Sequence, residues 1–460
     1  MMKPAEPLTP AASVDASAPR YGDEWAGVCV RDIDLAHGIP PVQPWDDDDR
    51  RIESVRMLVR IFDEPLGIAV VPVGDEGATP GVIASVIEEQ FGVQIRQRLS
   101  EADVDPSEYP TGIPLHGVRA RVRPPFLAAR DRALVNPPRV TVAVCTRERP
   151  ESLRSCLTSV LKMEYPNLEV LVVDNAPTTA ATRDVVREVD DAHRIHYVVE
   201  PRAGVSWARN RAIAEASEDI IAFIDDDEVA DPHWLTEIVR AFAEVPGVDV
   251  VSGPMMAAEL VTRAQVWFEM YGGHNKGKCN ERVVYCPGSG MKQSPYYPLP
   301  PFGTGGNMAF RRSALIRIKG FDRALGAGTP AAGAEDTLAF TQVLATGGTM
   351  VYQPTALVWH YHRRTYDALR RQLQGYGSGL TAYYFAVLMG KPRAIVELVK
   401  LLPRAWHDFR HPEGLRSGSV SPDFPEDLMH ANRGGLIRGP WLYLRGVRAM
   451  RRIRRDGGPS

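Results

Sequence analysis

The chain is poor in cysteine, with five in 460 residues: Cys29, Cys145, Cys156, Cys279 and Cys286. Their odd number and unrelated spacings match neither a disulfide framework nor a zinc site, and favour a reducing compartment. Cys145 falls in an apolar strand run and Cys156 in a helical one, where a thiol acts as a small hydrophobe. Cys279 and Cys286 flank a polar loop that lacks further metal partners. Long apolar runs are also missing. Leu380 to Met389, the most hydrophobic late stretch, is far short of the roughly 20 residues a membrane span needs. Nor does one sign of charge dominate. Lys and Arg number 54 and Asp and Glu 57, a net charge of −3, so there is no bulk attraction to nucleic acid. No internal repeat occurs. Met1 to Pro19, rich in Pro, Ala and Ser, reads as a disordered tail rather than a signal peptide.

What is present is ordinary globular composition, 44% hydrophobic and 24% charged, at a length that suits two domains. The expected divisions are a tail over 1–20, a small α/β accessory module over 21–135, a main α/β domain over 136–380, and a helical, Arg-rich extension over 381–460. In the module, apolar Val55 to Ile61, the turn Asp63-Glu64-Pro65-Leu66-Gly67 and apolar Ile68 to Val73 predict a hairpin. Thr79-Pro80 opens a helix through Phe91, with Val82, Val86 and Ile87 on one face. Asn136-Pro137-Pro138 reads as a linker. The period then changes. Strands at Val140–Cys145, Leu168–Val173, Ile195–Val199, Ile220–Ile224 and Val248–Ser252 alternate with helices beginning at Pro150, Val205 and Pro232. That alternation predicts parallel pairing with right-handed crossovers.

The most informative stretch is Asp219-Ile-Ile-Ala-Phe-Ile-Asp-Asp-Asp-Glu228. A buried-type strand ends abruptly in Asp225, Asp226 and Asp227. Adjacent carboxylates repel, so the cluster calls for a counter-charge, and a hard divalent cation is the usual one. Open α/β sheets bind ligands beyond the carboxyl ends of their strands. A metal that carries a nucleotide diphosphate is the natural reading. The chain holds its own contrast in Asp46-Asp47-Asp48-Asp49, which no apolar strand precedes and which reads as surface charge.

Several segments together resemble the family 2 glycosyltransferases. They are Val140-Thr-Val-Ala-Val-Cys-Thr-Arg-Glu-Arg-Pro150, Leu171-Val-Val-Asp174-Asn175, Glu200-Pro-Arg-Ala-Gly204 with Ala208-Arg209-Asn210, Asp225-Asp226-Asp227, Gly305-Gly306-Asn307-Met308-Ala309-Phe310-Arg311 with Gly320-Phe321-Asp322, and Glu335-Asp336. They fall in the family's order between about residues 139 and 379. The resemblance implies a GT-A nucleotide-sugar-binding fold, a divalent metal (Mn or Mg), a nucleotide-sugar donor, UDP-sugar favoured, and inversion at the anomeric carbon.

By that resemblance Asp227 is the direct metal ligand, and Asp225 helps hold the metal or the ribose. Asp226 carries no assigned role, with solvation as its plain reading. Asp336 is the candidate base, and Glu335 orients the acceptor or its loop. Carboxylates also favour a helix's first turn for dipole reasons alone. Asp174 would hydrogen-bond the base, against the alternative of an Asx turn with Asn175. Arg202 and Arg209 would contact base or phosphate, although Arg209 equally suits a surface pair. Thr146 and Arg149 border the nucleotide end of the first strand. His360 and His362, two residues apart on a strand, share a side, and either could serve as a metal ligand. The Gln-x-x-Arg-Trp motif of processive members is missing, since Arg371-Gln-Leu-Gln-Gly-Tyr-Gly377 stands at the comparable place.

The C-terminal stretch 433–455 holds eight Arg and no acid. On a helix over Trp441 to Arg455, Arg445, Arg448, Arg452 and Arg455 share one face, and Tyr443, Val447 and Met450 the other. This suits a membrane-surface element. It equally suits a packed terminal helix with a solvated face, and Gly446 weakens either helix. The expected protein is thus cytoplasmic or peripheral at the inner face of a membrane. Its expected partners are a nucleotide-sugar and an acceptor glycan, lipid-linked sugar or small molecule, with no nucleic acid. Two other classes compete. A nucleotidyltransferase would need glycine after the first strand, where Thr146-Arg-Glu-Arg-Pro150 stands. A non-catalytic sugar-nucleotide or glycan-binding protein would have no need of both the metal carboxylates and Asp336.

Overall fold

A computed structural model describes residues 21–109, 112–190, 194–275, 281–286, 294–296, 303–410 and 424–455. The expected N-terminal tail and Cys279 lie outside these residues. The N-terminal module contains β1 (Val28–Asp34), β2 (Ser54–Ile61), β3 (Glu64–Pro72), α1 (Pro80–Glu101) and α2 (Pro125–Ala133). The hairpin forms as the apolar pattern predicts, with β2 antiparallel to β3. β1, which the sequence reading did not include, joins parallel to β2. Helix α1 runs ten residues past its expected end. Val82, expected on the inner face, is 45% exposed, and the buried stripe is Ile83, Ile87, Phe91, Ile95 and Leu99. Those residues recur every four positions and so stack along one side.

The main domain follows with β4 (Val140–Thr146), α3 (Pro150–Leu161), β5 (Leu168–Asn175), α4 (Ala181–Val189), β6 (Ile195–Glu200), α5 (Val205–Glu215), β7 (Ile220–Asp225), β8 (Glu228–Ala230), α6 (Trp234–Glu244), β9 (Val248–Ser252), β10 (Met255–Ala257), α7 (Arg263–Met270), β11 (Val283–Tyr285), β12 (Met308–Arg311), α8 (Arg312–Ile318), α9 (Glu335–Ala345), β13 (Thr349–Tyr352) and β14 (Val358–His360). Among the described residues an eight-stranded sheet has the order β11-β13-β9-β12-β7-β4-β5-β6. The fold is α/β, as expected, and the sheet is mostly parallel. The exceptions are the edge strand β11, antiparallel to β13, and β12, which lies antiparallel between β7 and β9. Strand–helix alternation does not reveal such a strand, because it enters from a long excursion rather than through a crossover. Val142, Val144, Val172, Ala222 and Ile224 face one apolar layer, with Leu153, Leu157, Trp234 and Ile238 upon it. Ala143, Leu171, Val173, Ile221 and Phe223 face the other, with Ala208, Ala212, Phe310 and Phe340. Burial on both faces explains the unbroken apolar runs of these strands.

The N-terminal module is joined to this domain by buried charge. Arg60 on β2 donates to Asp32 at 2.8 Å and to Asp231, just after β8, at 2.6 Å. Arg130 on α2 pairs with Glu237 on α6 at 2.7 Å, and both are buried.

Among the described residues three further helices follow: α10 (Tyr366–Gly390), α11 (Ile395–Arg410) and α12 (Glu426–Arg455). α10 and α12 pack closely because glycine lies at their contact. A Cβ on Gly439 would meet the Thr381 hydroxyl at 2.0 Å and the Ser378 carbonyl at 2.4 Å. The apolar side of α12, with Tyr443, Val447 and Met450, packs on Ala324, Leu325, Ala382 and Tyr383. Arg445, Arg448 and Arg452 are exposed, while the Arg455 side chain lies outside the described residues. Among the described residues no helix is long and apolar enough to cross a membrane.

Candidate active site

The site is built at the end of β7, at the middle of the large sheet. Ile220 to Ile224 are buried between β4 and β12, and the strand delivers Asp225 to the sheet's carboxyl edge. Asp226 and Asp227 form the turn into β8. That short strand pairs antiparallel with β14 and sets Glu228 opposite His360. The register brings His360 Nε2 to 3.6 Å from Asp227 Oδ1.

The three aspartates have different surroundings. Asp226 is not solvated: it is 5% exposed and accepts from the Thr146 hydroxyl at 2.7 Å and from Arg149 at 2.9 Å. Asp227 meets Arg149 at 2.9 Å and Arg363 at 3.4 Å. Asp225 is the most open, with its side chain 36% exposed, and accepts from Arg209 at 3.0 Å. Glu228, which the motif does not count, is buried behind them, and its Oε1 has no hydrogen-bond partner. Gly306 leaves the room it occupies, since an added Cβ there would lie 1.8 Å from Oε1.

Packing this much negative charge out of water raises the affinity for protons. Burial, then Asp227's charge, pushes Asp226 up to about 6 against the pull of Arg149. Burial and the neighbouring aspartates push Glu228 well above the carboxylate range. Asp225 is raised by burial, with Arg209 opposing. The donor set therefore suits a divalent cation. Buried carboxylates crowd there, Asp227 Oδ1 lies 3.6 Å from His360 Nε2, and burial pushes His360 well below the ordinary imidazole range. Asp227, Asp225 and His360 are the residues that would hold it.

The second acidic motif meets the first through one guanidinium. Arg209, 2% exposed on α5, donates Nη1 to Glu335 at 2.6 Å and Nη2 to Asp225 at 3.0 Å and to the Gly305 carbonyl at 3.0 Å. It is a buried strut rather than a surface pair. Glu335 opens α9 directly after Ala334, whose φ of +69° is left-handed. Burial pushes Glu335 up to about 7, Arg209 opposing and Asp336 adding to the rise. Asp336 is partly buried beside it, and its Oδ1 accepts from the Thr337 N–H at 2.6 Å.

The remaining sequence candidates sit toward β5 and β6. Asp174 is fully buried. Its Oδ2 accepts from the Tyr197 hydroxyl at 2.7 Å, and its Oδ1 has no partner. Asn175 is not turned onto Asp174. Its amide donates to the Arg202 carbonyl at 2.7 Å and its oxygen accepts from Gly204 N–H at 2.8 Å, which fixes the loop into α5. Arg202 is held on Glu200 at 2.6 Å with its guanidinium 3.9 Å over the Trp207 ring.

Sequence reasoning missed the layer behind His360. His360 Nδ1 lies 2.8 Å from His362 Nδ1, and His362 Nε2 lies 2.8 Å from Glu269 on α7. His274 packs edge-on to His360, with ring centroids 4.6 Å apart. Donor nitrogens of the three imidazoles lie within 4.8 Å of one another. Against its burial, the His362 bond and Arg56's charge hold Glu269 down to about 2. A lone Glu in the apolar helix Arg263–Met270 gave no signal that could have found it.

Comparison with known proteins finds relatives in sequence. Residues 141–319 match the model of glycosyl transferase family 2. A glucosyl-dolichyl phosphate glucuronosyltransferase of Haloferax volcanii is 27% identical over 190 residues, 40% of this chain and 56% of the relative. The succinoglycan biosynthesis protein ExoM of Rhizobium meliloti is 30% identical over 227 residues, 48% of this chain and 65% of the relative. The chain thus spans 56% and 65% of the lengths of these two curated relatives. A solved mannosyltransferase of Pyrobaculum calidifontis, in complex with GDP-Man and Mn2+, aligns over 72% of this chain and 83% of its own, at 21% identity and a TM-score of 0.41. The matched residues 141–319, which carry the motif at the end of β7, are thus similar to glycosyl transferase family 2.

Proposed function

We propose that this protein is an inverting, metal-dependent, non-processive glycosyltransferase that moves a sugar from a nucleotide-sugar to an acceptor hydroxyl. One observation carries the reading: Arg209 ties Asp225 of the metal motif to Glu335 of the acidic pair within one buried guanidinium. The metal motif, which would neutralise a leaving diphosphate, and the acidic pair, which would take an acceptor proton, are therefore neighbours. A bound divalent cation supplies charge for the departing diphosphate. Arg149 and Arg363, about 40% exposed on Asp227, are the cations placed to meet diphosphate oxygens beside it. Glu335 is engaged by Arg209, which leaves Asp336 as the base. The unpartnered Oδ1 of Asp174 supports a hydrogen bond from a nucleotide base, and a UDP-sugar is the first donor to test.

The dolichyl phosphate-linked sugar in the name of the Haloferax relative supports a lipid-linked acceptor. So does the surface of the C-terminal helices. The apolar side of α12 is occupied by packing, but α11 presents Ile395, Val396, Val399 and Leu402 to solvent, beside exposed Lys391, Arg393 and Lys400. An exposed apolar stripe flanked by cations suits an anionic membrane surface. The reading is tested by thermal shift with UDP-, GDP- and dTDP-sugars, with and without Mn2+, followed by turnover of the stabilising donor. A metal-dependent shift with release of nucleoside diphosphate is expected. A shift without turnover on any glycan or lipid-linked acceptor would make the protein a binding module.

A further inference from the structure

The hydrogen-bond chain behind His360 begins in the N-terminal module, for which sequence offered no function. Arg56 on β2 pairs with Glu269 at 2.9 Å. Glu269 Oε1 meets His362 Nε2, His362 Nδ1 meets His360 Nδ1, and His360 Nε2 faces Asp227. A carboxylate can only accept, so His362 carries its proton on Nε2. A cation on His360 Nε2 requires that ring's proton on Nδ1, where the hydrogen-bond partner is His362 Nδ1. The lone pair of His360 then sits on Nε2, the atom turned toward Asp227. Two acceptors 3.6 Å apart repel unless a cation lies with them. The chain from Arg56 thus matches the one tautomer of His360 that can ligate a metal beside Asp227.

We infer that Arg56 and Glu269 are positioning residues, by which the N-terminal module orients His360 as a metal ligand through His362. The module is firmly seated for this part. Arg60, on the same face of β2 as Arg56, is bonded to Asp231 at the far end of β8. Backbone bonds from Ala26 to Val261 and from Ala264 to Gly22 anchor the start of α7, the helix that carries Glu269. The inference rests on the metal reading proposed above.

The test measures Mn2+ binding by the full chain, without donor, by titration calorimetry and by the nitrogen coupling that a histidine ligand gives in the Mn2+ spin-echo spectrum. Glu269→Ala should weaken Mn2+ by roughly 10–100-fold, the usual cost of losing an outer partner of a ligating histidine, and diminish the coupling. Glu269→Gln, whose amide oxygen can still accept from His362, should restore much of both. Arg56→Met should shift both in the same direction as Glu269→Ala, by less. It leaves α7 untouched, so it serves if Glu269→Ala does not fold. Asp227→Asn separates the two claims. Loss of Mn2+ affinity in Asp227→Asn, with wild-type affinity and coupling in Glu269→Ala and Arg56→Met, overturns this inference alone. Unchanged affinity in Asp227→Asn overturns the metal reading beneath it.

Discussion

Replacing Arg209 by Met removes a buried charge while keeping most of its length, and the consequence is pH-dependent. Arg209 is 2% exposed and compensates Glu335 at 2.6 Å and Asp225 at 3.0 Å. Removing one partner of a buried ion pair costs about 3–5 kcal/mol, because the stranded charge has no water to receive it. Asp225, with its side chain 36% exposed, contributes less than Glu335. A stranded carboxylate escapes by taking a proton, and Glu335 is already raised from 4.5 to about 7 with Arg209 present. A carboxyl raised in the folded state binds more protons there than in the unfolded chain, so stability falls as pH rises between the two values. In Arg209→Met the folded value moves higher still, so the loss relative to wild type grows above pH 7, by about 1.4 kcal/mol per pH unit. At pH 9 Arg209→Met should lose about 3–5 kcal/mol relative to wild type. At pH 5 Glu335 is neutral, and the loss should shrink to about 1–2 kcal/mol, the worth of hydrogen bonds to groups such as the Gly305 carbonyl. Urea unfolding at both pH values, followed by tryptophan fluorescence, measures this. An equal loss at the two pH values, or a larger one at pH 5, refutes the reasoning.

Three further expectations concern separate parts of the account. Asp227→Asn should abolish the metal-dependent part of nucleotide binding with little change in melting temperature; calorimetry with and without Mn2+ decides it. Asp174→Ala should raise the donor KM more than it lowers kcat, because base contacts are equal in ground and transition states; an unchanged KM with a collapsed kcat contradicts that role. Gly439→Leu should force α12 off α10, because even a Cβ there meets the Ser378 carbonyl at 2.4 Å. Limited proteolysis should then release the C-terminal segment, which wild type retains.

Local signals were legible in the sequence, and pairings across the chain were not. The strand Ile220–Asp225 and its acid terminus could be read because an apolar run stopped at carboxylates. Helix α3 could be placed because Pro150 marks its start. Val82 misled because an apolar residue in a first helical turn need not lie on the stripe that the later turns bury. The antiparallel β12 was invisible because strand direction is decided by distant partners. Asp226 looked dispensable until Thr146 and Arg149 were found on it. Arg209 could be nominated but not given its geometry, because Glu335 lies 126 positions away. Arg56 and Glu269 left no trace at all: each is an ordinary charged residue in its own element, and only the docking of β2 on α7 joins them.

The central claim is metal-dependent transfer with Asp336 as the base, and the most direct measurement compares wild type and Asp336→Asn on donor, acceptor and Mn2+. Proton NMR of the product reports the anomeric configuration, and calorimetry reports donor binding. The account predicts an inverted product that EDTA abolishes, unchanged donor affinity in Asp336→Asn, and transfer lower by about two to four orders of magnitude. Retained configuration, or near-normal transfer by Asp336→Asn, would contradict it.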